Sequence, residues 1–136
     1  MKQQTFSLNT RGKGLYEFTH EIDTFLRESS VDMGLINIFI KHTSASLTIQ
    51  ENADPSAKAD MLEFLERLVP EHQSWHTHTA EGPDDTTSHL KSCLTQTSLS
   101  IPISNGRLNI GTWQGIYLWE HRNHSHTRKI VFTILS

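Results

Sequence analysis

The sequence predicts an α+β fold: one domain spanning residues 1–136, with a largely antiparallel sheet system and two to three helices. Three observations carry this. Apolar runs of strand length outnumber runs of helical spacing. The dipeptide Asn105-Gly106 sits between two such runs, which is the strongest short hairpin signal. The last four apolar runs are joined by connections short enough for antiparallel neighbours.

The elements follow in order. Gln4–Asn9 alternates Phe6 and Leu8 with polar residues and reads as a strand. Arg11-Gly12-Lys13-Gly14 is a turn. Leu15, Phe18, Ile22, Phe25 and Leu26 recur at helical spacing, so a helix is expected from Leu15 onward, closed by Ser29 and Ser30. Leu35–Lys41 is a strand with Ile36, Ile38 and Ile40 on one face and Leu35 and Phe39 on the other, so both faces read as covered. Leu47–Ile49 is a short strand. Asp54-Pro55 opens a helix, with aspartate as cap and proline at the first helical position, and Pro70 stops it. Trp75–Thr79 reads as a strand that places His76 and His78 on one face. Gly82-Pro83-Asp84-Asp85 reads as a turn into a short helix over 88–95. Leu99–Ile103 and Arg107–Ile110 form the Asn-Gly hairpin, and Ile116–Glu120 pairs with Lys129–Leu135 across a polar loop.

Composition narrows the function classes. The formal net charge is −3, so there is no basic excess of the kind that marks a nucleic-acid surface. One cysteine excludes an internal disulfide and a CxxC motif, and fits a reducing compartment. Cys93 lies between Leu90 and Leu94 and is expected to be buried and unreactive. No run has the length of a signal-peptide core or a membrane span, so no membrane association is expected and a cytoplasmic protein is the default.

Nine histidines are the unusual count. His78 and His89 flank the acidic Glu81, Asp84 and Asp85; imidazole and carboxylate together suit zinc, manganese or a similar divalent ion. The spacing matches no defined zinc signature, and a solvated polar loop is the competing reading. His42, Thr43 and Ser44 follow a buried strand, where an imidazole beside hydroxyls can move a proton or hold an oxyanion. Glu51 and Asp60 are candidates to orient a histidine by accepting its second ring N–H, while Asp54 already has a task as helix cap. Trp113 and Gln114 can hold a flat ring by stacking and amide bonds, or belong to the core or an interface. His121–His126 reads as a solvated loop.

Together these motifs resemble the YjbQ family, described as secondary thiamine-phosphate synthases. The carriers are Lys41-His42-Thr43-Ser44-Ala45-Ser46, Glu51-Asn52-Ala53-Asp54-Pro55 with Asp60, Glu81-Gly82-Pro83-Asp84-Asp85 with His89-Leu90-Lys91, Ser104–Leu108, and Gly111-Thr112-Trp113-Gln114-Gly115. The resemblance covers essentially the whole chain. It implies an α+β sandwich that assembles as a homotrimer, with histidines and acids at a polar pocket. It also implies a side activity joining a pyrimidine diphosphate to a thiazole phosphate, hence a small phosphorylated metabolite as partner. The site expected is catalytic His42, Thr43, Ser44, Glu51, Asp60 and His89, ligand-binding Lys91, Trp113 and Gln114, and metal-binding His78 and His89. Zinc or magnesium is the cofactor expected. A metal-dependent hydrolase of small phosphate esters and a non-catalytic metabolite- or metal-binding trimer are the alternatives.

Overall fold

Two antiparallel sheets pack face to face, and the computed structural model describes them over residues 2–136. In chain order the elements are β1 (Lys2–Arg11), β2 (Gly14–Glu17), α1 (Thr19–Ser29), β3 (Gly34–Ile40), β4 (Ala45–Glu51), α2 (Pro55–Leu68), α3 (Pro83–Leu94), β5 (Ser98–Ser104), β6 (Arg107–Leu108), β7 (Gln114–Glu120) and β8 (Ser125–Leu135). The larger sheet has strand order β1-β8-β3-β5-β6 and the smaller β2-β7-β4. This is the α+β sandwich that the resemblance implied.

Alternation explains the layering. Ile36, Ile38 and Ile40 of β3 and Ile130, Phe132 and Ile134 of β8 point inward against Leu47, Ile116 and Leu118 of the small sheet and Phe18, Ile22, Phe25 and Leu26 at α1. The opposite face of β7 presents Tyr117 and Trp119 to Leu65 and Val69 at α2, with Leu90 of α3 packed alongside. A strand buried on both faces needs the continuous apolar run that 116–119 supplies.

Several local expectations hold. Asp54 caps α2, its Oδ1 accepting the Ser56 N–H at 2.9 Å, with Pro55 at the first helical position. Asn105 (φ 54°) and Gly106 (φ 74°) make the left-handed pair that a two-residue hairpin turn requires.

Others are corrected. Leu15 and Tyr16 lie on β2, paired with Trp119 and Leu118 of β7, and the helix starts only at Thr19. Leu15 faces the α2 side and Phe18 the main core, a division helical spacing alone does not show. Residues 75–79 form a loop, not a strand. The short helix begins at Pro83 rather than Ser88, because Gly82 (φ 101°) ends the preceding turn and proline fits the first helical position. β7 and β8 do not pair: β7 is the centre of the small sheet and β8 lies between β1 and β3. Only one face of β3 is covered within the chain, and Leu35 and Phe39 on the other are 46% and 43% exposed. Cys93 is exposed rather than buried, beside Leu68, Trp75 and Leu94. Its native thiol is therefore expected to react with a maleimide or disulfide reagent at a rate close to that of the unfolded chain; protection by orders of magnitude would contradict this placement.

Candidate functional site

The site is built around the start of α3. Asp85 and His89 stand four residues apart, so both project from one face of that helix. The 75–82 loop brings His78 back over them. His78 Nε2 lies 2.6 Å from Asp85 Oδ2, and His89 Nε2 lies 3.4 Å from Asp85 Oδ1. One ligand atom from each of the three lies within 4.8 Å of the others. Metal–ligand bonds of about 2.0–2.2 Å set tetrahedral ligand atoms roughly 3.3 Å apart. The donor set therefore fits a divalent ion with slight widening of the His78–Asp85 contact.

The ring orientation supports that fit. His89 Nδ1 lies 2.8 Å from the Thr43 carbonyl oxygen, which only an N–H can satisfy. In the neutral ring the proton is thereby placed on Nδ1, leaving the Nε2 lone pair toward Asp85, the tautomer a metal ligand needs. Both imidazoles are partly open to solvent, and His78 borders a cavity of about 270 Å³ also lined by His72, His76 and Pro83.

Arg122 holds the carboxylates from behind. Its Nε donates to Asp84 Oδ2 at 2.9 Å, its Nη1 to Asp85 Oδ1 at 2.7 Å, and its Nη2 to the Glu81 carbonyl at 3.1 Å. Both aspartates are buried. Burial alone would raise the Asp85 carboxyl, but contacts with Glu81 and His78 and the Arg122 charge outweigh it and hold the group below the usual carboxylate range. Asp84 is likewise lowered: against burial act the Asn123 N–H and the Arg122 guanidinium.

Other expected site residues fall elsewhere. His42 does not join the triad; its Nε2 accepts the Lys129 N–H at 2.8 Å. Burial and the Arg128 charge lower its pKa. Thr43 contributes its carbonyl to His89, and the Ser44 carbonyl accepts from the His121 N–H and from Arg128. The Glu51 carboxylate takes the Asp54 N–H at 2.9 Å, and Asp60 is exposed on α2. Neither has a histidine within ion-pair distance among the described residues. Trp113 is 63% exposed, and Gln114 folds its Oε1 onto the Gly111 N–H at 2.8 Å.

Lys91 stands two residues beyond His89, hence roughly on the opposite side of α3. It is buried and paired with Glu66 of α2, next to Lys13, which itself pairs with Glu66 and Glu71. Burial pushes the Lys91 amine below its ordinary value, against the pull of Glu66. Beside it His121, expected in a solvated loop, is buried just past the end of β7, with Nε2 2.9 Å from Ser46 Oγ; Ser125 and His126 of the same run open β8.

Reasoning from sequence named Asp85 only as one of three acids between the histidines, and missed Arg122 as a site residue. The Asp85–His89 spacing of four was visible, but it acquires meaning only once the helix starts at Pro83. Arg122 carried no local signal, since it sits in a loop far along the chain.

Comparison with known proteins agrees with this fold over its whole length. The model of the family UPF0047 protein YjbQ-like matches residues 4–136. The chain is 47% identical over 129 residues to the UPF0047 protein sll1880 of Synechocystis sp., covering 95% of this chain and 88% of that one. It is 43% identical to the UPF0047 protein YjbQ of Escherichia coli O157:H7 over 133 residues, 97% of this chain and 96% of that one. Among solved structures, an uncharacterized conserved protein of the YjbQ/UPF0047 family from Clostridium acetobutylicum superposes with TM-score 0.88 at 34% identity, covering 97% of this chain and 99% of the other. A hypothetical protein from Aeropyrum pernix K1 does so with TM-score 0.90 at 26% identity, over 100% and 99%. No helix of the described residues is long and apolar enough to cross a membrane. With the two-sheet fold and matches along nearly its full length, the chain belongs to the YjbQ-like UPF0047 family.

Proposed function

We propose that the chain holds a divalent metal ion, zinc or magnesium, at His78, Asp85 and His89 and uses it on a small phosphorylated metabolite. The observation that carries this reading is the His89 ring, whose Nδ1–H is committed to the Thr43 carbonyl so that Nε2 faces Asp85 and His78. The reaction the family resemblance suggests is of the thiamine-phosphate synthase type. There the C–O bond to the leaving diphosphate of a pyrimidine breaks, and a C–N bond to the ring nitrogen of a thiazole phosphate forms. A bound divalent ion supplies charge neutralisation for the leaving diphosphate. Asp85, kept ionised by Arg122, contributes the anionic ligand, and the solvent-facing sides of His78 and His89 leave room for substrate.

Titration calorimetry with Zn²⁺ and Mg²⁺ tests the site. His78→Ala and His89→Ala are each expected to weaken binding by about two orders of magnitude or more, since each removes one of three protein ligands. Unchanged affinity in both variants removes the metal site. Incubation of the metal-loaded protein with both precursors should then yield thiamine phosphate, and His89→Ala should abolish it.

A second reading is hydrolysis of a small phosphate ester by metal-bound water. It is favoured by the commitment of Arg122, the cation beside the triad, to Asp84 and Asp85, which leaves it unavailable to a diphosphate. Chelator-sensitive turnover of generic phosphate esters, without thiamine phosphate formation, selects it.

The setting proposed is a cytoplasmic homotrimer. Leu35, Phe39 and Leu135 expose an apolar stripe on the outer face of the large sheet, with Leu35 directly opposite Leu135 in the register. Such a stripe suits burial against another copy. Light scattering at micromolar protein is expected to give three chain masses, and Phe39→Glu to shift the mass toward the monomer. A monomer mass for the unaltered chain refutes the trimer.

A further inference from the structure

We propose that the concavity between α1 and the β5–β6 hairpin binds a phosphomonoester carried on a small hydroxylated body, at a site separate from the histidine–aspartate triad. The space is about 430 Å³ and is walled by Asp23 and Arg27 of α1 and by Arg107, Leu108 and Ile110 of the hairpin and the segment after it. A volume of that size is typical of a pocket for a small metabolite.

The arginines single this place out. Arg67, Arg122 and Arg128 are each paired with a carboxylate. Arg11, Arg27 and Arg107 have none within ion-pair distance among the described residues, and of these Arg27 and Arg107 line one cavity in a chain whose net charge is −3. Arg27 has a carboxylate four residues earlier in Asp23, the spacing of an ordinary helix ion pair. Its Nη2 instead donates to Thr24 Oγ1 at 3.3 Å, leaving most of the guanidinium donors free. Two guanidinium forks give a phosphate dianion bidentate partners from two sides, which a single ammonium cannot do.

The walls are held in place. The left-handed turn at Asn105 and Gly106 is pinned to the α1–β3 connection by the Gly106 N–H, which donates to the Asp32 carbonyl at 2.9 Å. Arg107 follows that fixed turn directly, and Arg27 projects from the last turn of a helix whose other face is in the core. Preorganised walls lower the ordering cost of binding.

Asp23 sets the class of ligand. A carboxylate at the wall disfavours a bare anion that fills the cavity and offers an acceptor to a hydroxyl. Leu108 and Ile110 provide an apolar surface for the carbon frame. A phosphate at the arginines and a hydroxyl at Asp23 satisfy both ends at once.

The test is isothermal titration calorimetry of the full chain with ribose 5-phosphate, inorganic phosphate and ribose. Saturable binding is expected for ribose 5-phosphate, weaker binding for inorganic phosphate, and none for ribose. Arg27→Gln and Arg107→Gln are each expected to weaken ribose 5-phosphate binding by about tenfold or more. Asp23→Asn is expected to bring the sugar phosphate and inorganic phosphate closer in affinity. None of the three side chains belongs to the buried core, so the variants fold. His89→Ala should bind ribose 5-phosphate as the unaltered chain does, which keeps this site distinct from the triad whether or not the triad holds metal. Absence of saturable binding up to about 10 mM, unchanged affinity in Arg27→Gln or Arg107→Gln, or loss of binding in His89→Ala each overturns the proposal.

Discussion

Arg122→Gln is expected to destabilise the fold by about 3–5 kcal/mol, because it strands two buried carboxylates without their shared cation. Asp84 is 3% and Asp85 1% exposed, and the guanidinium bonds both, at 2.9 and 2.7 Å. Asp84 keeps the Asn123 N–H and Asp85 keeps His78, so the loss belongs at the lower part of that range. A domain of this size is stable by about 5–15 kcal/mol, so even the lower figure is a large share. Arg122→Lys retains the charge but not the fork, and should fall between Gln and the native residue. If Asp85 is a metal ligand, the same change also lowers metal affinity by about 10–100-fold through the loss of its supporting partner. Equilibrium urea unfolding at pH 7 reads the stability term. A loss under about 1 kcal/mol would show that the two aspartates reorganise into water and that the network is not a structural anchor.

Acid is expected to weaken the protein well above the carboxylate range, through His121. Burial, reinforced by the positive charges of Lys91, Arg128 and Lys13, lowers this imidazole to about 3. Unfolded, it titrates near its ordinary value of about 6.5. Above that value neither state holds the proton, and stability is complete. Between about 6.5 and 3 the unfolded chain binds a proton that the folded chain refuses, so stability falls as pH falls. Over the whole interval this amounts to about 4–5 kcal/mol, of which about 2 kcal/mol is lost between pH 7 and 5. His42, also lowered by burial, adds in the same direction. Asp84 and Asp85 act in a different window. Their folded values lie below the unfolded one, so their contribution is present above about 3.9 and fades only as pH falls through those lower values. Urea unfolding of the metal-free protein at pH 7 and pH 5 should show the loss. In His121→Gln, which keeps a polar partner for Ser46, the slope between these pH values should be much flatter. Equal slopes in both proteins would assign the acid sensitivity to other groups.

Local chemistry decided a good deal of this protein before any contact was known. Asp54-Pro55 starts a helix wherever it lies, because the carboxylate serves an N–H two residues on and proline lacks only a donor that has no partner there. Asn105-Gly106 makes its hairpin because both residues accept positive φ. The motif runs of the family, with His78 and His89 as partners around an acidic stretch, were legible in the same way. What the tertiary structure alone decided is which surface each segment meets. Leu15 and Tyr16 satisfy helical spacing with Phe18, yet β7 offers them an edge and they become strand. β7 and β8 are neighbours in sequence but join different sheets, because β8 is the long strand that β1 and β3 both need. His42 carries the right chemistry for the triad and is turned to the Lys129 N–H instead, while Arg122 arrives from a polar loop to hold Asp84 and Asp85. Cys93 sits between leucines in sequence but on the open side of α3. Periodicity encodes neighbours two, three or four residues away; the Arg122 partner of Asp85 and the partners of His42 and Leu15 lie tens of residues off, and only the packing of two sheets and three helices brings them within bonding distance.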